Sequence, residues 1–378
     1  MRRRFDLRSV LIALAAPVLA ILFSVVVISV VLLAVGDNPF DVFSKMIEYG
    51  TQPRTEVLIL NSATIYYFSA VAVAIGFKMN LFNIGVDGQY RLAAFAAAVV
   101  GGSINLPAPL HVLVILVTAV LVGAMWAGIA AVLRAYRGVS EVISTIMLNF
   151  IATGVIAYLL QPGRLAVEVQ GSNNIGTEPI PPSGQVPGMA IIPGTESKVY
   201  GLAILAVLVG FGYWFLLNRT RFGFDLRATG MSESAAVSSG VDIKRMIVAA
   251  MLLSGAVAGL VGMPQLLGSS YSYSLDFPAG LGFTGIAIAL LGRNNAVGIA
   301  FGALLWGFLD NSAQILDLEG VPKEIVTIMQ GTIVLSVVIA YELVRRYRLR
   351  EQQRLTGQAT AEPTGIGPGA DEREGAPA

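Results

Sequence analysis

The sequence predicts an all-α fold: a bundle of helices that crosses a membrane many times. Of the 378 residues, 55% are hydrophobic and only 13% are charged, whereas soluble domains carry about 25% charged residues. So little charge could not cover the surface of a water-soluble fold. Several apolar runs also reach the length of about 20 residues that a membrane-spanning helix needs.

Ten stretches qualify as spans when two interrupted ones are included. Seven are continuous apolar runs, namely Val10–Val35, Thr55–Phe77, Leu110–Leu133, Glu141–Leu160, Val199–Leu217, Met246–Leu267 and Glu324–Val344. Glycine and polar residues interrupt Leu81–Gly102, and they also interrupt Leu281–Ser312. The second of these is too long for one span. It breaks at Gly292–Asn295, which makes two spans.

Four basic clusters test this number of spans, because Lys and Arg favour the cytoplasmic side of a membrane. The clusters lie at residues 2–8, 134–137, 219–245 and 345–350. Ten spans place all four clusters in the cytoplasm, together with both chain termini. The proline-rich loop 161–198 then lies outside, and we expect it to be irregular.

The domain organisation follows from this topology. Residues 1–354 are predicted to form one membrane domain, whose cytoplasmic loop is 218–245 and whose extracytoplasmic loop is 161–198. The tail 355–378 is rich in glycine, proline, alanine and glutamate, so we expect it to be disordered. Interrupted regions near 82–89 and 282–298 lie in opposite halves, which suggests an inverted repeat.

Composition excludes several functions. A net charge of +1 argues against binding nucleic acid, and the absence of cysteine excludes disulfides and cysteine zinc sites. The single histidine, His111, leaves little room for a metal site, and we expect it at the membrane interface. The sequence contains no phosphate-binding loop and no nucleophile or metalloprotease motif. We therefore predict neither an enzyme nor a cofactor-binding chain.

Polar side chains within the spans are the first candidate site, because in hydrocarbon they must face protein or water. The segment Phe82–Gln89 suits a broken helix, and Asp87 and Arg91, four residues apart, could pair or be solvated. In the fifth span, polar residues recur at every fourth position along about 18 Å of helix. That stripe either lines a polar route or joins helices through hydrogen bonds. The candidate path residues are Asn83, Asp87, Gln89, Arg91, Glu141, Thr145, Asn149 and Thr153.

Two further polar sites have simpler interpretations. Glu141 by itself suits the first turn of a helix, where the dipole favours an acidic side chain. Asp310, Asn311, Ser312 and Gln314 are expected to close the ninth span, where the helix end meets water.

The cytoplasmic segment Arg227–Gly240 is the second candidate site. Ser232 can cap a helix, Glu233 suits its first turn, and Gly240 fits the left-handed position after its end. The predicted helix has about two turns and is too short to be stable alone. It needs a partner surface, on this protein or on another.

These segments resemble the permease subunits of ATP-binding-cassette (ABC) importers, in the branch that takes up nucleosides and simple sugars. That branch is related to ribose and branched-chain amino-acid permeases. The stretches that carry the resemblance, in family order, are Phe82–Gln89, Gly138–Asn149, Arg227–Gly240 with Ser254–Gly259, and Gly285–Asn295. The serine after Glu233 departs from the family's coupling-loop pattern.

The resemblance implies a permease that translocates a nucleoside or simple sugar across the plasma membrane. A separate ATPase subunit would use ATP, and this chain would bind no cofactor. The other implied partners are a second permease subunit, identical or homologous, and an extracytoplasmic substrate-binding lipoprotein. The resemblance also implies that the loop helix couples to the ATPase, through Arg227, Gly230, Ser232, Glu233, Ala235, Ala236 and Gly240.

Two alternatives stay open. An ion-coupled secondary transporter of a small polar solute would also need no phosphate loop, and Asp87 or Glu141 would then titrate during transport. The third possibility is a structural membrane scaffold, although the intramembrane polar stripe argues against it.

Overall fold

The computed structural model describes residues 22–168, 174–318, 320–322 and 324–361. The chain divides into two compact units. The larger unit is Val27–Val334, and the smaller unit is Met1–Val26 with Leu335–Ala378, whose described residues are helical. The predicted all-α fold is confirmed.

Short segments connect most of the described helices, and the long loop 161–198 separates the sixth from the seventh. The helices are α1 (Leu22–Val35), α2 (Pro39–Gly50), α3 (Pro53–Phe77), α4 (Val86–Ser103), α5 (Ala108–Arg137), α6 (Glu141–Leu159), α7 (Ala203–Arg219), α8 (Arg221–Met231), α9 (Glu233–Ser238), α10 (Ile243–Gly259), α11 (Met263–Gln265), α12 (Leu281–Leu291), α13 (Ala296–Leu318) and α14 (Glu324–Ala361). A π-helical turn, Leu266–Ser270, follows α11.

Within the described part of the chain, five helical stretches are long and apolar enough to cross a membrane: α3, α5, α6, Ile243–Ser270 and α13. The number rises to seven if each of two sharply bent helix pairs is one span, and α12 and Glu324–Ala340 are shorter apolar helices. The chain is therefore a helical integral membrane protein. Each of the ten predicted stretches overlaps a described helix, although residues 10–21 of the first lie outside the described part.

The core of the larger unit is built around α3. Residues Ala70 to Ile75 are buried in every direction, as expected for a helix that is apolar all round. Helices α10, α12 and α13 pack against α3. This central position explains why α3 has no polar face.

Small residues bring α5 and α10 into close contact. A methyl group at Gly259 would lie 2.1 Å from the carbonyl oxygen of Ala119, and one at Gly255 would lie 2.4 Å from the carbonyl oxygen of Gly123. Such distances are too short for any side chain, so the two backbones touch directly. Gly-x-x-x-Gly spacing of this kind is typical of packed membrane helices.

The structure adds helices that the sequence analysis omitted, α2 and α8 among them, and corrects the position of one residue. Helix α2 begins at Asn38, whose side chain accepts from the Phe40 N–H at 3.0 Å, followed by Pro39 in the first turn. That Asn-Pro start was a usable signal. His111 is fully buried, hydrogen-bonded to Ser183 and to the Gly101 carbonyl. The expectation of an interfacial histidine was wrong, because both ring nitrogens find partners inside the protein.

The ninth span also continues further than expected. Helix α13 ends at Leu318, and Asn311 and Ser312 are buried within it. Asp310 accepts hydrogen bonds from the Tyr66 hydroxyl and the Gln330 amide. The expectation that this cluster meets water was wrong for Asp310, Asn311 and Ser312, because neighbouring helices supply their hydrogen-bond partners. Gln314 is exposed.

The long loop 161–198 has more order than its prolines suggested. Strand β1 (Val167–Glu168) pairs antiparallel with β2 (Ile175–Gly176), and Pro182–Gly184 forms a 3₁₀ turn. At the other end of the chain, α14 continues to Ala361, into the tail predicted to be disordered. The rest of that tail, 362–378, lies outside the described residues.

Candidate functional site

A buried amide organises the break between α3 and α4. Asn83 is 1% exposed, and its Nδ2 donates to Ser254 Oγ on α10 at 2.8 Å. Its Oδ1 accepts from the Gly85 backbone at 3.1 Å and from the Gln89 side chain at 2.9 Å. The Ser254 hydroxyl donates in turn to the Ala72 carbonyl of α3 at 2.6 Å. The predicted helix break is confirmed, and its polar groups join three helices.

Asn149 holds the N-terminus of α4 from the neighbouring helix α6. Its Oδ1 accepts from the Gly88 N–H at 2.8 Å, and its Nδ2 donates to the Ile84 carbonyl at 3.0 Å. The first N–H groups of a helix have no partner within that helix. The N-cap residue of α4, Gly85, supplies no side-chain hydrogen bond. Asn149 therefore caps α4 from another helix.

Asp87 caps α12 in the same way. Its carboxylate is buried and accepts from the backbone N–H groups of Gly280, at 2.8 Å, and Gly282, at 3.4 Å. A negative charge at a helix N-terminus is favoured by the helix dipole. The candidate pairing with Arg91 was wrong, because oriented N–H groups take its place. Arg91 instead donates to Thr153 Oγ1 of α6 at 3.1 Å.

The remaining polar side chains of the stripe find their partners on α6 itself and on the neighbouring helix α5. The Thr145 hydroxyl donates to the Glu141 carbonyl at 2.6 Å, and the Thr153 hydroxyl donates to the Asn149 carbonyl at 3.1 Å. Glu141, in the first turn as expected, forms an ion pair with Arg134 of α5 at 3.3 Å. In this conformation the stripe joins α4, α5 and α6, and it lies together with Asn83, Asp87, Gln89 and Arg91 around the start of α4.

Helix α12 is only half a membrane span. It has 11 residues, about 16 Å at 1.5 Å per residue, against a hydrocarbon core of about 30 Å. Backbone between the π-helical turn and α12 is irregular and anchored, since the Tyr90 hydroxyl donates to the Pro278 carbonyl and the Tyr273 N–H donates to Thr177 Oγ1. Non-helical backbone at this depth is tolerated where protein buries it or water lines it. Sequence reasoning missed this segment, although Pro278-Ala-Gly280 gave a signal.

The loop 218–245 contains the predicted short helix. Ser232 Oγ accepts from the Ala235 N–H at 3.3 Å as the cap of α9, and Gly240 has φ +84°. Both features of the prediction are confirmed. Of the seven candidate coupling residues, Ala236 is buried within this chain, whereas Ser232, Glu233 and Ala235 are exposed. Ala236 thus holds α9 in place, and the exposed residues are the ones that a partner can reach.

Helix α8 rests on the turn that precedes α4. A methyl group at Gly230 would lie 2.3 Å from the Lys78 carbonyl oxygen, and Asn80 Nδ2 donates to the Gly230 carbonyl at 2.6 Å. Burial, with the nearby charges of Arg227 and Arg293, lowers the pKa of Lys78. Three basic side chains therefore meet where the loop joins the bundle.

Comparison with known proteins identifies the family. Residues 57–338 match the family described as "Branched-chain amino acid transport system / permease component". The chain belongs to this permease family. Members are transport permeases and not enzymes, and they work in general with an ATPase and a substrate-binding component. The family resemblance stated from the sequence is confirmed.

The permease is similar over most of its length to named ABC transporter permeases. It is 36% identical to the guanosine permease protein NupP of Bacillus subtilis, across 75% of this chain and 81% of that protein. It is 33% identical to the glucose permease protein TsgB13 of Haloferax volcanii, across 89% and 90%. It is 29% identical to the nucleoside permease protein NupB of Lactococcus lactis, across 86% and 90%. These comparisons favour an ABC permease over an ion-coupled transporter or a scaffold.

Proposed function

We propose that this permease translocates a nucleoside, or else a simple sugar, across the plasma membrane as half of a gated path. The single observation that carries the proposal is the half-span helix α12, whose N-terminus is held by Asp87 of α4. Discontinuous helices whose ends meet inside the membrane line substrate routes in transporters. The similarity to guanosine, nucleoside and glucose permeases supplies the substrate class.

The topology of the proposal is ten spans with both termini in the cytoplasm. This arrangement follows from the basic clusters, with Leu81–Gly102 taken as one crossing and Leu281–Ser312 as two. The irregular backbone before α12 would complete the crossing that α12 begins. An inverted repeat would relate the interrupted regions near 82–89 and 282–298. A second permease subunit, identical or homologous, would form the other half of the path, and an extracytoplasmic substrate-binding lipoprotein would deliver the substrate.

The ATPase partner is assigned to the exposed side of α8 and α9. Met231 is 88% exposed and Val237 is 57% exposed, and the acidic Glu233 lies between them in the sequence. These two apolar side chains, one at the end of α8 and one on the capped helix α9, give a partner an exposed apolar surface to cover. ATP would be bound by the partner, and this chain would contribute no cofactor site. Closure of the ATPase would then push on this loop and shift the bundle between two states.

Substitutions on α9 test the docking surface. We expect Glu233→Lys combined with Val237→Asp to lower co-purification of the ATPase and ATP-driven uptake of labelled inosine by about tenfold, since both act on one interface. The control is Glu196→Lys, an equal charge change on the exposed outer loop. Unchanged co-purification and uptake would refute the coupling assignment.

The contact between loop and bundle can be tested separately. Asn80 has φ +56°, so glycine preserves its backbone while removing the hydrogen bond to Gly230. We expect Asn80→Gly to keep the ATPase bound and to lower the number of substrate molecules transported per ATP hydrolysed. Tight coupling in this variant would show that the contact does not transmit motion.

A further inference from the structure

A polar cavity lies under the long loop, at the end of the bundle opposite the basic clusters. It has a volume of about 760 Å³, within the range of about 300–1,000 Å³ usual for small-molecule sites. Polar side chains from three separate segments line it, among them Asn61, Gln185, Lys198, Tyr200 and Ser269. Its lining differs from that of an apolar groove of about 710 Å³ formed by α3, α7 and α13, which suits lipid chains or another helix.

The wall of this cavity is held in position by a buried amide. Asn61 on α3 donates from Nδ2 to the Lys198 carbonyl at 3.1 Å and accepts at Oδ1 from the Tyr200 N–H at 2.7 Å. Both hydrogen-bonding groups of the Asn61 side chain therefore bind the loop segment that carries Tyr200. A cavity wall fixed in this way is preorganised for a ligand.

Two tyrosines line the cavity, Tyr200 on this wall and Tyr271 directly after the π-helical turn. The Tyr200 ring lies over Gly268, where a methyl group would come within 2.6 Å of Cδ1, and its hydroxyl is 3.1 Å from Ser269 Oγ. Tyr271 also lines the cavity and has φ +52°, a left-handed conformation that is strained for an aromatic residue. π-Helical turns and such backbone outliers concentrate at functional sites.

The chemistry of the lining selects a ligand class. Aromatic faces stack on flat heterocyclic bases, and the Gln185 amide, which already donates to the Ile180 carbonyl at 2.9 Å, can also accept from a base or a sugar hydroxyl. The cavity adjoins the irregular backbone that leads from Tyr271 down to α12. A solute bound there would lie at the outer entrance of the proposed path.

We propose that this cavity is an entry site that binds the base of a nucleoside before the nucleoside passes towards Asp87. The inference rests on the proposed orientation and transport function. It adds that this chain itself prefers a solute with a base over a bare sugar, in addition to the selection made by the delivery protein.

Saturation-transfer NMR on the intact transporter in lipid nanodiscs, without the delivery protein, tests the inference with inosine and ribose as probes. We expect the base proton of inosine to receive saturation about threefold more strongly than any ribose proton at equal concentration, because only inosine can stack. Tyr200→Leu should lower the inosine signal about threefold, whereas Tyr200→Phe should retain it. The control, Tyr158→Leu, changes an exposed tyrosine outside the cavity lining and should have no effect.

A second variant covers the case in which Tyr200→Leu does not fold. Ser269 is exposed at the cavity rim, so Ser269→Trp fills the cavity from outside and should also abolish the inosine signal. Equal signals for inosine and ribose, or an inosine signal unchanged in both folded variants, would overturn the inference. If wild-type protein still imports inosine with ATP under those results, the entry site alone is wrong. If no nucleoside or sugar is imported at all, the proposed function is wrong.

Discussion

Replacing Asp87 tests whether its role is to cap α12. The carboxylate accepts from Gly280 at 2.8 Å and from Gly282 at 3.4 Å while remaining buried. Asp87→Leu has no acceptor and leaves both N–H groups without their partner. Asp87→Asn keeps an amide oxygen that can accept from Gly280, and loses only the negative charge. The two variants therefore separate the hydrogen bonds from the charge.

The magnitudes follow from the geometry of Asp87. A buried N–H left without a partner costs about 1–3 kcal/mol, and the bond to Gly282 at 3.4 Å is weak. A charge at a partly buried helix N-terminus contributes up to about 2 kcal/mol. We expect Asp87→Leu to lower the free energy of unfolding by about 2–4 kcal/mol and Asp87→Asn by about 1–2 kcal/mol. At about 2–4 °C per kcal/mol, the midpoints fall by roughly 4–16 °C and 2–8 °C.

Thermal unfolding of the purified transporter in detergent measures both changes. Asp242→Asn is the matched control, because Asp242 caps α10 through the Arg245 N–H at an exposed position; it should shift the midpoint by less than either Asp87 variant. A leucine variant as stable as wild type would refute the capping role. An asparagine variant that is stable and has lost uptake would show that the charge of Asp87 acts in transport itself, as the ion-coupled alternative requires.

The other predictions concern helix contacts and one lysine. Gly259→Leu should separate α5 from α10 and greatly reduce folded yield, whereas Gly154→Leu, with open space around its backbone, should not. Asn149→Leu should lower thermal stability and uptake together, because it leaves two backbone groups of α4 unpaired. Lys78→Gln should raise the unfolding midpoint at neutral pH, since burial and two neighbouring arginines disfavour the charged amine. That gain over wild type should shrink as pH rises through the lowered pKa of Lys78.

Local patterns in the sequence were sufficient for much of the fold. The cap at Ser232 and the left-handed Gly240 depend on residues a few positions apart, and both are present. The break at Gly292–Asn295 also depends on local residues, and Arg293 and Asn294 there have positive φ. Helix caps and turns are predictable because their hydrogen bonds close within one or two turns of chain.

Partners far away in the chain could not be predicted in this way. Asp87 and Arg91 satisfy the spacing rule for an ion pair on one helix, yet Asp87 binds N–H groups nearly two hundred residues further along. His111 similarly depends on Ser183 and on the end of α4. A spacing rule states which residues can meet on one element, whereas burial decides which of the available partners is used.

The caps together connect the loop that carries α8 and α9 to the half-span helix α12 through three successive contacts. Helix α8 packs on the turn at Lys78–Asn80, which leads into Asn83 and the start of α4. The Asn149 side chain of α6 accepts a hydrogen bond from the first turn of α4. Asp87, in that same turn of α4, accepts one from the N-terminus of α12. Helices α4 and α12 are short, and side chains of other helices cap their N-termini. A shift of the turn can exchange or break these capping hydrogen bonds without deforming a long helix. A two-state movement can therefore be confined to these ends while Ala70–Ile75 of α3, buried on every side, stays in place.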